Sequence, residues 1–223
     1  MTELSSPVRI SLQENNDVLS DDIEKAGQIL TRGGTIAIPT DTIYGVASLA
    51  QSTEGVQKLY EMKQRDPEKP LAICVGDVED ISRWAYVPDD NLLRDLLPGA
   101  VTVVLRRKPA LNPELNPGLT SIGVRIPSHP FVRKLAQFCK QPLALTSANT
   151  STKPSTLAVN EFQELWPKLD LIVDGGTIRN DSRLGSTVVD ISEANQFRII
   201  RRGRVYEATT QLLKETYGFR EVQ

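Results

Sequence analysis

The feature that most constrains the fold is the alternation of short apolar runs with amphipathic segments along most of the chain. Apolar runs bounded by turn residues predict buried strands, whereas apolar residues recurring every three or four positions predict helices. The predicted strands are residues 35–38, 71–75, 101–105, 121–126, 143–146, 169–173, 187–191 and 197–200. Because several strands follow one another without a helix, the sequence predicts one α/β domain with a twisted mixed sheet of about seven strands, flanked by helices.

The amphipathic segments also predict where helices begin. Helices are predicted from Ser20 to the stop at Gly33-Gly34, from Thr53, over 77–85 and 89–97, from Pro130, over 157–166 and over 206–217. In the helix from Pro130, we expect Phe131, Leu135 and Phe138 to face inward.

Proline, asparagine and glycine dominate residues 109–118, which indicates a loop and suggests a mobile flap. No repeat or linker divides the chain. We therefore expect an N-terminal extension over 1–19, the domain over 20–206, and a C-terminal helix and tail over 207–223.

Composition narrows the classes of function. The 223 residues carry a net charge of −2, which argues against a surface that grips nucleic acid everywhere, although Arg106 to Lys108 and Arg201 to Arg204 are local basic groups. Two cysteines and one histidine do not suffice for a structural zinc site. The acidic first thirty residues lack a targeting pattern, so we expect a cytoplasmic protein without membrane spans. This leaves open a longer mitochondrial isoform.

Polar residues lie at four predicted strand ends, where ligands bind in open α/β sheets. Residues 39–45 combine hydroxyls, a carboxylate and a phenol, and residues 63–70 bring cations suited to a polyphosphate. A hydrogen-bonded turn and a solvated charged loop are the respective alternatives. Arg125 in an apolar strand needs an anionic partner, which can be a substrate or a structural carboxylate. Residues 146–149 form a small polar turn that lets backbone N–H groups approach an anion.

Five segments in this order resemble the motifs of the YrdC family, in its stand-alone eukaryotic form. They are Pro39 to Gly45, Lys63-x-Arg65 with Lys69-Pro70-Leu71, Gly123 to Pro127, Thr146 to Asn149, and Ser186 to Asp190. The resemblance covers about Ser20 to Tyr206. By contrast, the chain has no P-loop, dinucleotide-binding or nucleophile-elbow motif, and His129 before Pro130 is expected to cap a helix or to lie at the surface.

The resemblance implies roles for particular residues. Lys63 and Arg65 would be catalytic. Threonine or its carbamate would contact Thr42, Cys74, Arg125 and Ser186, and ATP would contact Arg65, Lys69, Ser121, Ser147, Asn149, Ser155 and Arg201. Many relatives carry histidine where this chain has Cys74. The alternative to a threonine contact is that Cys74 is simply a buried cysteine of a strand. No side chain is expected to ligate a metal, and Mg²⁺ would arrive with ATP.

The resemblance also implies an activity. Members of the family are L-threonylcarbamoyladenylate synthases, nucleotidyltransferases that convert L-threonine, bicarbonate and ATP into L-threonylcarbamoyl-AMP and pyrophosphate. A downstream threonylcarbamoyl transferase complex uses the product at position 37 of ANN-decoding tRNAs, and weak tRNA binding is also implied. Residues 109–120 or 151–155 would close over the adenylate. Two alternatives stay open, namely a double-stranded RNA or tRNA-binding module without catalysis, and a carbamoyl transfer enzyme that uses carbamoyl phosphate.

Overall fold

A mixed sheet of eleven strands forms the frame of the computed structural model, which describes residues 7–12, 18–62, 70–150 and 153–223. The strands are β1 (Val8–Ser11), β2 (Ile36–Ile38), β3 (Gly45–Leu49), β4 (Ala72–Cys74), β5 (Val101–Arg106), β6 (Ser121–Arg125), β7 (Leu143–Ser147), β8 (Leu171–Asp174), β9 (Thr187–Asp190), β10 (Gln196–Arg201) and β11 (Arg220–Glu221). Their order across the sheet is β1-β8-β2-β3-β7-β4-β6-β5-β9-β10-β11. The predicted fold class is confirmed.

The predicted number of strands was too low, because three strands carry weak sequence signals. β3 consists largely of small residues between a polar turn and a helix, so its apolar alternation is faint. β1 and β11 are edge strands of four and two residues. β1 pairs in parallel with β8, and β11 pairs with β10, so both ends of the chain reach the sheet. The domain boundaries at 19/20 and 206/207 remain predictions.

The helices are α1 (Ser20–Thr31), α2 (Thr53–Met62), α3 (Ile81–Trp84), α4 (Asp90–Leu96), α5 (Pro130–Cys139) and α6 (Tyr206–Gln211). Short 3-10 segments span Val78–Asp80 and Val159–Lys168, and a π turn spans Leu212–Thr216. The predicted helix over 77–85 is thus two single turns, and the one over 157–166 is a 3-10 segment broken at Phe162 (φ −130°, ψ 34°).

Two apolar cores cover the two faces of the sheet. On one face, α1 and α5 pack on the half formed by β2, β3 and β8 through Ile23, Leu30, Phe131 and Leu135. The other face is covered by α2, α3 and α4. Phe138 does not point inward as predicted, because its ring lies over Gly27 at the edge of the helix pair and stays 48% exposed. A Cβ at Gly27 would lie 2.4 Å from that ring, so glycine permits the contact.

The proline-rich loop after β5 is anchored, in contrast to the predicted flap. Leu111 and Leu115 are buried, and the Asn116 side chain bonds both the N–H (2.7 Å) and the carbonyl (2.8 Å) of Leu71. The Arg107 guanidinium donates to the carbonyl oxygens of Leu111, Asn112, Leu115 and Asn116. Buried polar groups therefore hold residues 109–118 against the rest of the domain.

Candidate active site

A cavity of about 720 Å³ opens over the half of the sheet that α1 and α5 leave uncovered. Successive side chains of a strand point to opposite faces, so its floor is made of alternate residues. The floor residues are Ala72 and Cys74 of β4, Ser121, Gly123 and Arg125 of β6, Thr102 and Val104 of β5, Val188 and Asp190 of β9, and Arg198 and Ile200 of β10. The walls add the end of β7 with the polar turn after it, and Thr40, Ile43, Tyr44 and Gly45.

Two glycines leave space in the cavity because they carry no side chain. A Cβ at Gly123 would lie 3.1 Å from the Thr102 methyl carbon, and one at Gly45 would lie 2.8 Å from Leu145 Cδ1. Larger side chains would therefore fill the space or displace these neighbours. A ligand can lie close to the backbone of β3 and β6 as a result.

Arg125 is 5% exposed at the end of β6. Its Nη2 donates to Asp41 Oδ1 at 2.6 Å, and its Nε donates to the Gly99 carbonyl at 3.3 Å. Asp41 is therefore the structural carboxylate that a buried arginine needs. Among the described residues, Nη1 has no hydrogen-bond partner, which leaves it for a ligand.

Arg201 forms the second cationic group of the cavity. Its Nε and Nη2 donate to the Ser186 carbonyl at 3.2 and 2.9 Å, and Nη2 also donates to Ser186 Oγ at 3.1 Å. Desolvation lowers the pKa of Arg201, and the positive charge of Arg125 lowers it further. The positive charges of the two guanidinium groups therefore repel each other across one cavity. Such a cavity is suited to a ligand with more than one negative charge.

Cys74 lies on the floor with no exposed surface. Burial raises the pKa of its thiol to about 12, Arg125 acts to lower it, and Asp41 acts to raise it. The thiol is neutral at physiological pH, so it offers a small apolar surface and a weak donor rather than a nucleophile.

The carboxylates nearest the ligand site are already paired. Asp41 binds Arg125, and Asp190 binds Arg198 at 3.1 Å. Within the described ranges, no three His, Cys, Asp or Glu side chains are grouped as a metal site.

Residues 28–203 match the model of the Sua5/YciO/YrdC family, whose description is "Telomere recombination". The chain belongs to the YrdC family. It is 48% identical to the threonylcarbamoyl-AMP synthase of Homo sapiens over 194 residues, which cover 85% of this chain and 70% of that protein. It is 45% identical to the Mus musculus enzyme of the same name over 219 residues, which cover 96% and 78% of the two chains.

Solved structures of the family share the fold. The P. abyssi Sua5 structure complexed with L-threonine superposes with a TM-score of 0.84 at 25% identity, over 98% of this chain and 63% of that one. A full-length HypF structure in its phosphate- and nucleotide-bound form gives 0.72 at 29% identity, over 83% of this chain and 29% of HypF.

The structure brings most of the predicted site residues of this YrdC-family chain to one cavity. Its lining contains Cys74, Ser121, Arg125, Ser147, Asn149, Ser186 and Arg201. Lys63, Arg65 and Lys69 lie outside the described residues.

Two predicted residues do not line the cavity. Thr42 is fully buried behind Thr40, with the two hydroxyl oxygens 3.1 Å apart, and it is Thr40 that reaches the lining. Ser155 is half-buried outside the lining, and its carbonyl accepts from Arg183 at 2.9 Å. The ligand contacts expected of Thr42 and Ser155 stay predictions.

The sequence interpretation missed several residues of the site. Thr102, Asp190 and Arg198 occupy alternate positions of strands that were predicted, so the period of two could have revealed them. Asp41 lies within a segment that was singled out, but its partner Arg125 is 84 residues away. His129 caps α5 as predicted, since Nδ1 accepts the Phe131 N–H at 3.3 Å.

Proposed function

We propose that this YrdC-family chain condenses L-threonine, bicarbonate and ATP into L-threonylcarbamoyl-AMP, with release of pyrophosphate. The observation that carries the proposal is the pair of arginines, Arg125 and Arg201, that face one cavity over a floor of small residues. A volume of about 720 Å³ suits a nucleotide with an amino acid beside it. The names of the relatives support the same activity.

The reaction requires alignment of the two substrates more than it requires a nucleophilic side chain. An oxygen of N-carboxylated threonine attacks the α-phosphorus of ATP, the bond to the bridging oxygen breaks, and pyrophosphate leaves. Arg125 anchors the anionic amino acid through its remaining edge, and Arg201 stabilises phosphate charge. The neutral Cys74 adds no negative charge to the floor, and the carboxylate of Asp190 there is paired with Arg198.

The remaining ATP contacts rest on the sequence motifs. Lys63, Arg65 and Lys69 would neutralise the polyphosphate, with Lys63 and Arg65 acting on the transferred group. Ser121, Ser147 and Asn149 line the cavity and would hold the nucleotide, which brings Mg²⁺ with it. Bound with ATP, magnesium would supply charge neutralisation at the phosphates.

The product is a labile mixed anhydride, so an acceptor must consume it promptly. We expect a tRNA-modifying threonylcarbamoyl transferase complex to do so, at position 37 of ANN-decoding tRNAs and in the cytoplasm. Over the described parts of the chain, no helix combines the length and apolar character required to cross a bilayer. Weak direct binding of tRNA remains part of the proposal.

The decisive assay mixes the protein with ATP, Mg²⁺, L-threonine and bicarbonate, and follows pyrophosphate release and adenylate formation. Omitting threonine or bicarbonate should abolish both, and Arg65→Ala should reduce them strongly. An adenylate that forms equally well without threonine would contradict the proposal. Replacing bicarbonate with carbamoyl phosphate separates this activity from carbamoyl transfer.

The RNA-binding alternative has its own test. Binding of tRNA that persists without ATP and threonine, in a preparation that releases no pyrophosphate, would favour a module without catalysis. Local basic groups such as Arg106, which stacks 5.5 Å from the ring of Tyr86, would be its contacts.

A further inference from the structure

A row of four polar side chains crosses the floor of the cavity. Arg125 on β6 lies beside Thr102 on β5, because the antiparallel pairs Val103↔Val124 and Val104↔Gly123 continue to Thr102 and Arg125. Ser186 directly precedes β9, which pairs with β5, and Arg201 ends β10. Residues that face each other across neighbouring strands point to the same side of the sheet. The two hydroxyls therefore lie between the two guanidinium groups.

The hydroxyls of Thr102 and Ser186 form a closed hydrogen-bonded pair. Their oxygens are 2.7 Å apart, and the residues are 5% and 3% exposed. Ser186 Oγ also accepts from Arg201 Nη2 at 3.1 Å, while Thr102 Oγ1 has no further partner among the described residues. A serine oxygen has one proton and two lone pairs. If Thr102 donates to Ser186, both lone pairs of Ser186 are occupied and its proton must point elsewhere.

We propose that Thr102 is a positioning residue for the amino acid substrate, which directs the Ser186 hydroxyl proton toward the anionic group that Arg125 binds. Ser186 Oγ already accepts from Arg201. The geometry allows either hydroxyl to donate, and we take Thr102 as the donor, which leaves the Ser186 proton for the cavity, where an anion is the best acceptor. The inference deepens the proposed function and rests on it.

The experiment compares Thr102→Val, which keeps the shape of the side chain without its hydroxyl, with Thr102→Ser, which keeps the hydroxyl. We expect Thr102→Val to raise the KM for threonine about tenfold, the effect of one hydrogen bond to a charged group, with little change in the KM for ATP. Thr102→Ser should restore most of the affinity. Thermal unfolding of both variants reports whether the fold is kept.

A double-mutant cycle with Ser186→Ala tests whether Thr102 acts through Ser186. In that background Thr102→Val should change the KM for threonine by less than about twofold, because the group it directs is gone. Additive effects, a rise in the KM for ATP in place of threonine, or failure of Thr102→Ser to rescue would each overturn the inference.

The outcome is distinguishable from failure of the proposed function. Calorimetric titration of threonine, with bicarbonate present, makes the same comparison without turnover. A protein that binds threonine and shows the coupling but releases no pyrophosphate would contradict the proposed reaction and keep the inference. If the wild-type enzyme is active but its Thr102→Val variant binds threonine with unchanged affinity, the proposed reaction stands and the inference about Thr102 is wrong.

Discussion

At the scale of the residue, Arg125 divides one guanidinium group between the protein and the ligand. Nη2 and Nε are held by Asp41 and by the Gly99 carbonyl, and the remaining edge faces the cavity. Lysine carries its three N–H donors on one nitrogen, so it cannot contact Asp41 and the Gly99 carbonyl and also present a separate nitrogen to a ligand on the other edge. The shape of the group should therefore matter as much as its charge.

We predict that Arg125→Lys raises the KM for threonine by at least about tenfold, because the guanidinium nitrogen that faces the ligand is lost while the positive charge stays. Steady-state kinetics with threonine as the varied substrate measure the effect. Arg133→Lys is the matched control, since Arg133 also pairs with an aspartate (Asp77, 3.3 Å) but on the surface. Equal kinetic effects of the two substitutions would contradict the prediction.

Burial of Cys74 makes a prediction about alkaline pH. Its pKa is raised to about 12 in the folded protein, against about 8.5 for a free thiol, so the unfolded chain releases this proton first as pH rises. The contribution of the neutral thiol to stability is complete below pH about 8.5 and is lost progressively up to pH about 12. Urea unfolding at increasing pH should show this loss, and Cys74→Ala should reduce its slope. If the dependence of stability on pH is unchanged in Cys74→Ala, the pKa of this thiol is not raised in the folded protein.

At the scale of the element, the loop after β5 depends on the side chain of Asn116. It has a positive φ of 53° and ties the loop to the backbone of Leu71, directly before β4. The prolines and glycines of the segment predicted mobility, but they set only local backbone preferences. The contacts that fix it come from Arg107, Leu71 and Tyr60, and the last two lie far away in sequence.

We predict that Asn116→Ala lowers the free energy of unfolding by about 2–4 kcal/mol more than Asn195→Ala does, because it leaves two buried backbone groups unpaired. Asn195 has nearly the same backbone conformation (φ 57°) but is exposed, so the cost of a positive φ is matched. Urea denaturation gives both values, and hydrogen exchange should show faster exchange in β4 for Asn116→Ala alone. Similar losses of unfolding free energy in the two variants would mean that backbone strain at positive φ, and not the hydrogen bonds of Asn116, dominates.

Periodicity and turn chemistry predicted most strands and the capping role of His129, since these follow from residues close in sequence. They also pointed to Arg125 and its need for an anion. They could not choose Asp41 over a substrate carboxylate, because that choice depends on a contact across 84 residues. β3 was missed because its small residues serve the cavity floor and the sheet interior rather than an apolar pattern.

At the scale of the whole molecule, the helices cover one face of the sheet unevenly, and the uncovered half becomes the site. The net charge of −2 provides no long-range attraction for anionic substrates. Binding must therefore rely on local cations, which differ in exposure. Arg125 is buried, whereas Arg201 keeps exposed surface even though its guanidinium group is partly desolvated.

This difference predicts unequal salt dependence for the two substrates. As ionic strength rises from about 0.1 M to about 1 M, the screening length falls from about 10 Å to about 3 Å, and exposed charges are affected most. The KM for ATP should rise severalfold, and the KM for threonine should change less. Kinetics in NaCl, with mannitol at equal osmolality as the control, measure both. A larger change for threonine would contradict the proposed placement.

Cys74 belongs to two environments at once, since it packs with Phe131 and its neighbours and also forms part of the cavity floor. A change in its volume is therefore transmitted both to the helix layer and to the bound ligand. Variants chosen for thermal resistance alone would include some that no longer admit substrate, and variants chosen for a larger substrate would tend to melt earlier. Evolution of specificity at this position is restricted to side chains that fit both the helix layer and the ligand after one substitution.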